Sequence, residues 1–251
     1  ACPFIRHLCY HTDIDFIIRR ITPVATFQLR DYQQEAVSAT IKHFRKTDES
    51  GVIVLPTGSG KSLVIAELAR LANRKILVLT HVKELVEQNH QKYESYGLTA
   101  GIYSAGLKKK EIQHQVTFAS IQSVSRNLAA FSESYSLVII DECHRVSGIV
   151  DERCGDERCG DERNDDKNES QYLQLIRRLK AHNSELKVLG LTATPYRMGV
   201  GWIYQYHYHG FTRAEDARPF TSCIYELPLK YMIKNSYLTP PKVIDAAIAH
   251  Y

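Results

Sequence analysis

Seven consecutive residues, Pro56-Thr57-Gly58-Ser59-Gly60-Lys61-Ser62, bring together the groups needed to hold a triphosphate. Gly58 and Gly60 let the backbone turn tightly, so that successive N–H groups between Thr57 and Ser62 point at one anion. A helix opening at Lys61 adds a dipole that favours negative charge at its start. The Lys61 ammonium reaches the β- and γ-phosphates, and the Ser62 hydroxyl is a ligand for Mg2+. The pattern is GxGKS rather than GxxxxGKS, because Pro56 stands at the first glycine position. Eighty residues after Lys61 comes Asp141-Glu142-Cys143-His144. Asp141 is placed to contact Mg2+, through water, and Glu142 to orient the attacking water. ATP and Mg2+ are therefore the expected cofactors, with Lys61, Asp141 and Glu142 as catalytic residues.

Such groups work only if secondary structure positions them. Five apolar, β-branched runs read as buried parallel strands: Gly51–Leu55, Lys75–Thr80, Val116–Ser120, Leu137–Asp141 and Lys187–Thr192. Amphipathic patterns between them predict helices at Asp31–Phe44, Lys61–Leu71 and Lys83–Tyr96, with another near Gln171–Lys180. The alternation specifies an α/β domain with a mostly parallel, doubly wound sheet over about residues 27–197. The phosphate loop then follows the first strand, and Asp141 ends the fourth.

Composition sets the outer bounds. The chain has 251 residues, 44% apolar and 24% charged, an ordinary globular profile. No apolar run approaches the ~20 residues of a membrane span, and residues 1–26 lack the continuous apolar core of a signal peptide. A cytoplasmic protein without a membrane partner is expected. Net charge is +4, but residues 151–170 hold nine acids and four bases, which leaves the remainder at +9 and suited to a polyanion. Within that segment DERCG is repeated in tandem and predicts a mobile acidic loop over about 145–170. Its Cys154 and Cys159 have a spacing that does not match a zinc site. The run GWIYQYHYHGF, from Gly201 to Phe211, reads as a strand with Trp202, Tyr204, Tyr206 and Tyr208 on one face. A base-stacking platform and a two-histidine metal site are its alternative readings.

Taken in order, the motifs resemble a family. PTGSGKS, DECH and Leu191-Thr192-Ala193-Thr194-Pro195 are similar to motifs I, II and III of superfamily 2 helicases and translocases, which have RecA-like motor domains. Leu29-Arg30-Asp31-Tyr32-Gln33 looks like their adenine-recognition element. Thr80-His81-Val82-Lys83-Glu84-Leu85 and Phe118-Ala119-Ser120-Ile121-Gln122-Ser123 look like their nucleic-acid-contacting motifs. LRDYQQEAV, HVKELVEQNH, GLTATPYR and ELPLKYMIKNSYLTPP bring the resemblance close to the RadD-type DNA repair ATPases. The resemblance implies that Gln33 hydrogen-bonds adenine beside Arg30, while Thr57, Gly58, Ser59, Gly60, Lys61 and Ser62 hold the phosphates. It implies that His144, Thr192 and Thr194 couple hydrolysis to nucleic acid, and that Thr80, His81, Lys83, Ser120 and Gln122 line one phosphate backbone.

The implied partner is DNA, single-stranded or branched, with a single-strand-binding protein as a second partner on resemblance alone. Residues 198–251 resemble the linker towards a second RecA-like domain, so the chain is expected to be half a motor that turns over slowly. A nucleotide-occupied binding module and the translocase of a restriction system are the rival readings.

Overall fold

The computed structural model describes residues 28–146 and 163–240, excepting the side chains of 163–170. Residues 1–26, the DERCG repeats and Cys154 and Cys159 lie outside the described residues. Eleven strands follow in chain order: β1 (Gly51–Val54), β2 (Lys75–Thr80), β3 (Gly101–Ser104), β4 (Lys109–Lys110), β5 (Val116–Ser120), β6 (Tyr135–Asp141), β7 (Lys187–Thr192), β8 (Tyr196–Arg197), β9 (Gly201–Trp202), β10 (Tyr204–His207) and β11 (Phe220–Glu226). Six α-helices accompany them: α1 (Asp31–Phe44), α2 (Lys61–Leu71), α3 (Lys83–Glu94), α4 (Ile121–Ser125), α5 (Arg163–His182) and α6 (Leu229–Lys234).

Nine strands form one sheet in the order β10-β11-β1-β7-β6-β2-β5-β3-β4. Every pairing in it is parallel except β3 with β4. Alternate side chains on each strand feed two cores. Ile53, Ile76, Val78 and Ile139 pack with α1, α2 and α3, whereas Val54, Leu77, Leu79, Val138 and Ile140 pack with α4 and α5. Burial on both faces explains why these strands read as continuous apolar runs. The fold is α/β, as the strand–helix alternation predicts, and RecA-like, as the motif resemblance implies.

The sheet continues past residue 197. β11 lies parallel to β1, with Gly51 opposite Ser222, and β10 lies outside β11 at the edge. Thus part of the segment read as a linker forms two strands of the same sheet. The aromatic run is also not one strand. Gly201–Trp202 pairs with Tyr196–Arg197 in a separate hairpin, and Ile203 and Tyr204 are both buried where strict alternation would separate them. Among the described residues, no helix is long and apolar enough to cross a membrane.

Candidate nucleotide and nucleic-acid site

Because the sheet is parallel, the loops after β1, β2, β5, β6 and β7 all leave from the same edge, the usual position for a ligand in open α/β sheets. Leu55 N–H donates to Thr192 O at 2.9 Å, which ties the start of the phosphate loop to the end of β7. Gly58 and Gly60 have φ values of 82° and 81°, in the left-handed region that glycine tolerates. A Cβ on Gly60 would sit 2.6 Å from Gln33 Nε2, so this close approach also requires glycine.

Gln33 does more than its position in the sequence suggests. Its Oε1 accepts from Arg30 N–H at 3.0 Å, capping α1. Its Nε2 donates to Ser59 O at 2.8 Å, and Tyr32 Oη donates to the same carbonyl at 2.9 Å. Gln33 and Tyr32 thus meet the phosphate loop directly, and Arg30 is joined to it through them. Tyr237, remote in sequence, packs edge-on against Tyr32 at 5.3 Å and lies under the Arg30 guanidinium at 4.7 Å. Leu238 Cδ2 is 3.0 Å from where a Gly58 Cβ would stand. Sequence reading had Tyr32, Tyr237 and Leu238 within motifs but not as neighbours of the loop, since a motif does not show which residues converge from distant parts of a chain.

Lys61 and Glu142 face one another, Nζ to Oε1, at 3.2 Å. Glu142 Oε2 also lies 3.4 Å from His144 Nδ1, and His144 Nδ1 lies 3.0 Å from Thr192 Oγ1. Thr192 Oγ1 in turn accepts from Thr194 N–H at 3.1 Å. A continuous set of contacts thus joins Lys61, Glu142, His144, Thr192 and Thr194. The hydrogen bond to His144, followed by the Lys61 charge, holds Glu142 below its ordinary carboxylate range despite burial. Asp141 is 3% exposed, and burial is the main cause that raises its value.

Donors and charges here fit a nucleotide with Mg2+. Ser59 Oγ is buried without a hydrogen-bond partner within the protein, and Lys61 and Ser62 open α2 beside Asp141 and Glu142. Hydroxyl and carboxylate oxygens of Ser59, Ser62, Asp141 and Glu142 are of the type that a hard cation takes.

The second group of predicted residues sits at the ends of β2 and β5. Thr80 and Ser120 are register partners. Gln122 Nε2 bonds the His81 carbonyl at 2.9 Å and contacts its Nδ1 at 3.0 Å. Lys83 stands exposed at the start of α3. Thr80 and Ser120 are buried, with their hydroxyls directed to Val82 O and Ser123 Oγ. Lys83 is exposed and His81 and Gln122 are half-buried, so these three are the accessible members of this group.

The two histidines of the aromatic run lie side by side. His207 and His209 stack at 5.1 Å between centroids. Among the described residues, His207, Cys223 and Glu226 bring ligand atoms within 4.8 Å of one another. His207 Nδ1 accepts from His209 N–H at 3.2 Å, which assigns the ring proton to Nε2, and Nε2 faces Glu226 Oε2 at 2.8 Å. The cluster is a hydrogen-bonded pair beside a buried thiol.

Fold and site together define a RecA-like motor domain of the superfamily 2 helicase and translocase class. Residues 26–197 match the ResIII family, described as "Type III restriction enzyme, res subunit", and the chain belongs to that family. It is similar to the DNA 3'-5' translocase XPB2 of Sulfurisphaera tokodaii, 29% identical over 120 residues that cover 47% of this chain and 26% of that protein. It is also similar to the Type I restriction enzyme EcoKI endonuclease subunit of Escherichia coli, 27% identical over 184 residues, 66% of this chain and 15% of that one. The chain thus spans about a quarter or less of the length of these curated relatives. The fold is shared with a nuclease-deletion mutant of the Type ISP restriction-modification enzyme LlaGI, solved with a DNA substrate mimic. The TM-score is 0.54 at 18% identity, over 84% of this chain and 21% of that one.

Proposed function

We propose that this chain binds Mg2+ and ATP, holds one strand of DNA, and forms the nucleotide-binding half of a motor. The longer protein would couple hydrolysis to translocation or remodelling in DNA repair, in the manner of the RadD-type ATPases that its motifs resemble. The observation that carries the reading is the 3.2 Å pairing of Lys61 with Glu142 beside the phosphate loop. This pairing supports a phosphate-binding role for Lys61 and a water-orienting role for Glu142 at one point.

In this reading the Thr57–Ser62 backbone and Lys61 hold the phosphates, while Gln33 and Arg30 meet the adenine. Ser62 and Asp141 would hold Mg2+, which when bound would supply charge neutralisation for the triphosphate. Glu142 orients the hydrolytic water, and His144 relays its position to Thr192 and Thr194. His81, Lys83 and Gln122, backed by Thr80 and Ser120, follow the DNA backbone without reading bases.

A second reading, the translocase subunit of a restriction system, is favoured by the family description and by the similarity to the EcoKI subunit. The two readings share this motor and differ in whether the longer protein cuts DNA.

Binding of a labelled single-stranded oligonucleotide, followed by anisotropy against salt, tests the DNA reading. Saturable binding that weakens with salt is expected, and Lys83→Ala should flatten the slope of log affinity against log salt by about 0.7, one phosphate contact. An unchanged slope in Lys83→Ala together with His81→Ala would remove these residues from the DNA path.

A further inference from the structure

The mechanism so far leaves one buried polar side chain unused. Asn89 lies in α3, six residues after Lys83, and is completely buried. Its Nδ2 donates to Asp141 Oδ2 at 3.0 Å, across 52 residues of sequence. The other carboxylate oxygen, Oδ1, accepts from Glu142 N–H at 3.0 Å. Asp141 therefore has one donor fixed on each oxygen, and its plane is set from two sides. A carboxylate has only a broad torsional preference of its own, so these two bonds determine which lone pairs remain for a ligand.

Asn89 also carries an unfavourable feature. Its Oδ1 is buried with no hydrogen-bond partner within the protein. A leucine of similar size would fill the same space without an unpaired acceptor, so packing alone does not account for an amide here.

We propose that Asn89 is a positioning residue for Asp141, fixing the carboxylate for Mg2+ and tying the metal site to the helix whose first turn bears Lys83. The inference rests on Asp141 being the Mg2+ carboxylate. Groups that orient a metal ligand commonly change metal affinity by 10- to 100-fold when removed. The effect belongs to metal binding rather than to nucleotide binding as a whole, since the Asn89 amide bonds Asp141.

The test compares the unmodified chain, Asn89→Leu and Asn89→Ala, with Lys61→Ala as the control for the nucleotide site. A fluorescent ATP analogue is titrated in EDTA and over a range of Mg2+ concentrations, with melting temperatures measured alongside. We expect both Asn89 variants to match the unmodified chain in EDTA within twofold and to need about 10-fold more Mg2+ for half-maximal enhancement. Two substitutions are used so that overpacking by leucine is separated from loss of the amide. A Mg2+ midpoint within twofold of the unmodified chain, in either variant that melts cooperatively, overturns the proposal. If the unmodified chain and Lys61→Ala bind the analogue equally, the nucleotide-site reading has failed, and this inference falls with it.

Discussion

Glu142 has a φ of 52°, a left-handed conformation that costs a non-glycine residue about 1–2 kcal/mol. The kink turns the chain sharply after β6, so that Asp141 stays in the buried sheet end while Glu142 swings out to Lys61 and His144. Strain at this position is consistent with a group whose direction matters more than its backbone comfort. Glu142→Gln should retain nucleotide binding and lose at least about 100-fold of whatever turnover the chain shows, measured by phosphate release. The same variant tests the electrostatics. Because His144 and Lys61 hold Glu142 below its usual 4.5, its ionised form contributes stability that is present above that value and lost as pH falls through the lower, folded-state value. The difference in melting temperature between the unmodified chain and Glu142→Gln should therefore be present at neutral pH and close in the acidic range below 4.5. At this scale the sequence was most legible where chemistry is local. The phosphate loop is contiguous, so residue types alone specify it. Asn89 meets Asp141, and Tyr237 meets Tyr32, only because α3 packs against β2 and β5 beside the end of β6 and the chain after α6 returns to α1, and neither relation leaves a spacing to read.

Among the elements, β7 shows how closely the layers approach. A Cβ on Gly190 would lie 2.5 Å from Cys143 Sγ and 2.8 Å from Phe220 Cζ. The first contact is with the short helical turn after Glu142 and the second with β11, so both neighbours are held by the sheet. Gly190→Ala should destabilise the chain by about 1–3 kcal/mol, seen as a lower midpoint in urea, and pairing it with Cys143→Ala should recover part of the loss. A neutral Gly190→Ala would contradict this packing. The same closeness explains what could be read at this level. β1, β2, β5, β6 and β7 are covered on both faces, so they are apolar throughout and were visible. β11, reading FTSCIYE, buries Phe220, Cys223 and Ile224 but leaves its other residues partly exposed near the sheet edge. It has no continuous apolar run and no strict alternation, so nothing marked it as a strand. β3 has only four residues, and its burial depends on β5 and β4 lying to either side.

For the molecule as a whole, a parallel sheet gathers the loops after β1, β2, β5, β6 and β7 along one edge. The phosphate loop, the acidic pair, the Thr192–Thr194 turn and the accessible His81, Lys83 and Gln122 all belong to those loops or the helix starts that follow them. In the proposed reading, one surface registers both nucleotide and DNA, with no long conformational path between them. The central claim is that this edge binds Mg2+ and ATP through Lys61. Its most direct measurement is a titration of the chain with a fluorescent ATP analogue in Mg2+, alongside Lys61→Ala with circular dichroism to verify that both are folded. The account predicts saturable binding by the unmodified chain and at least a 10-fold loss in Lys61→Ala. Equal binding by two folded proteins, or none by the folded unmodified chain, would contradict it.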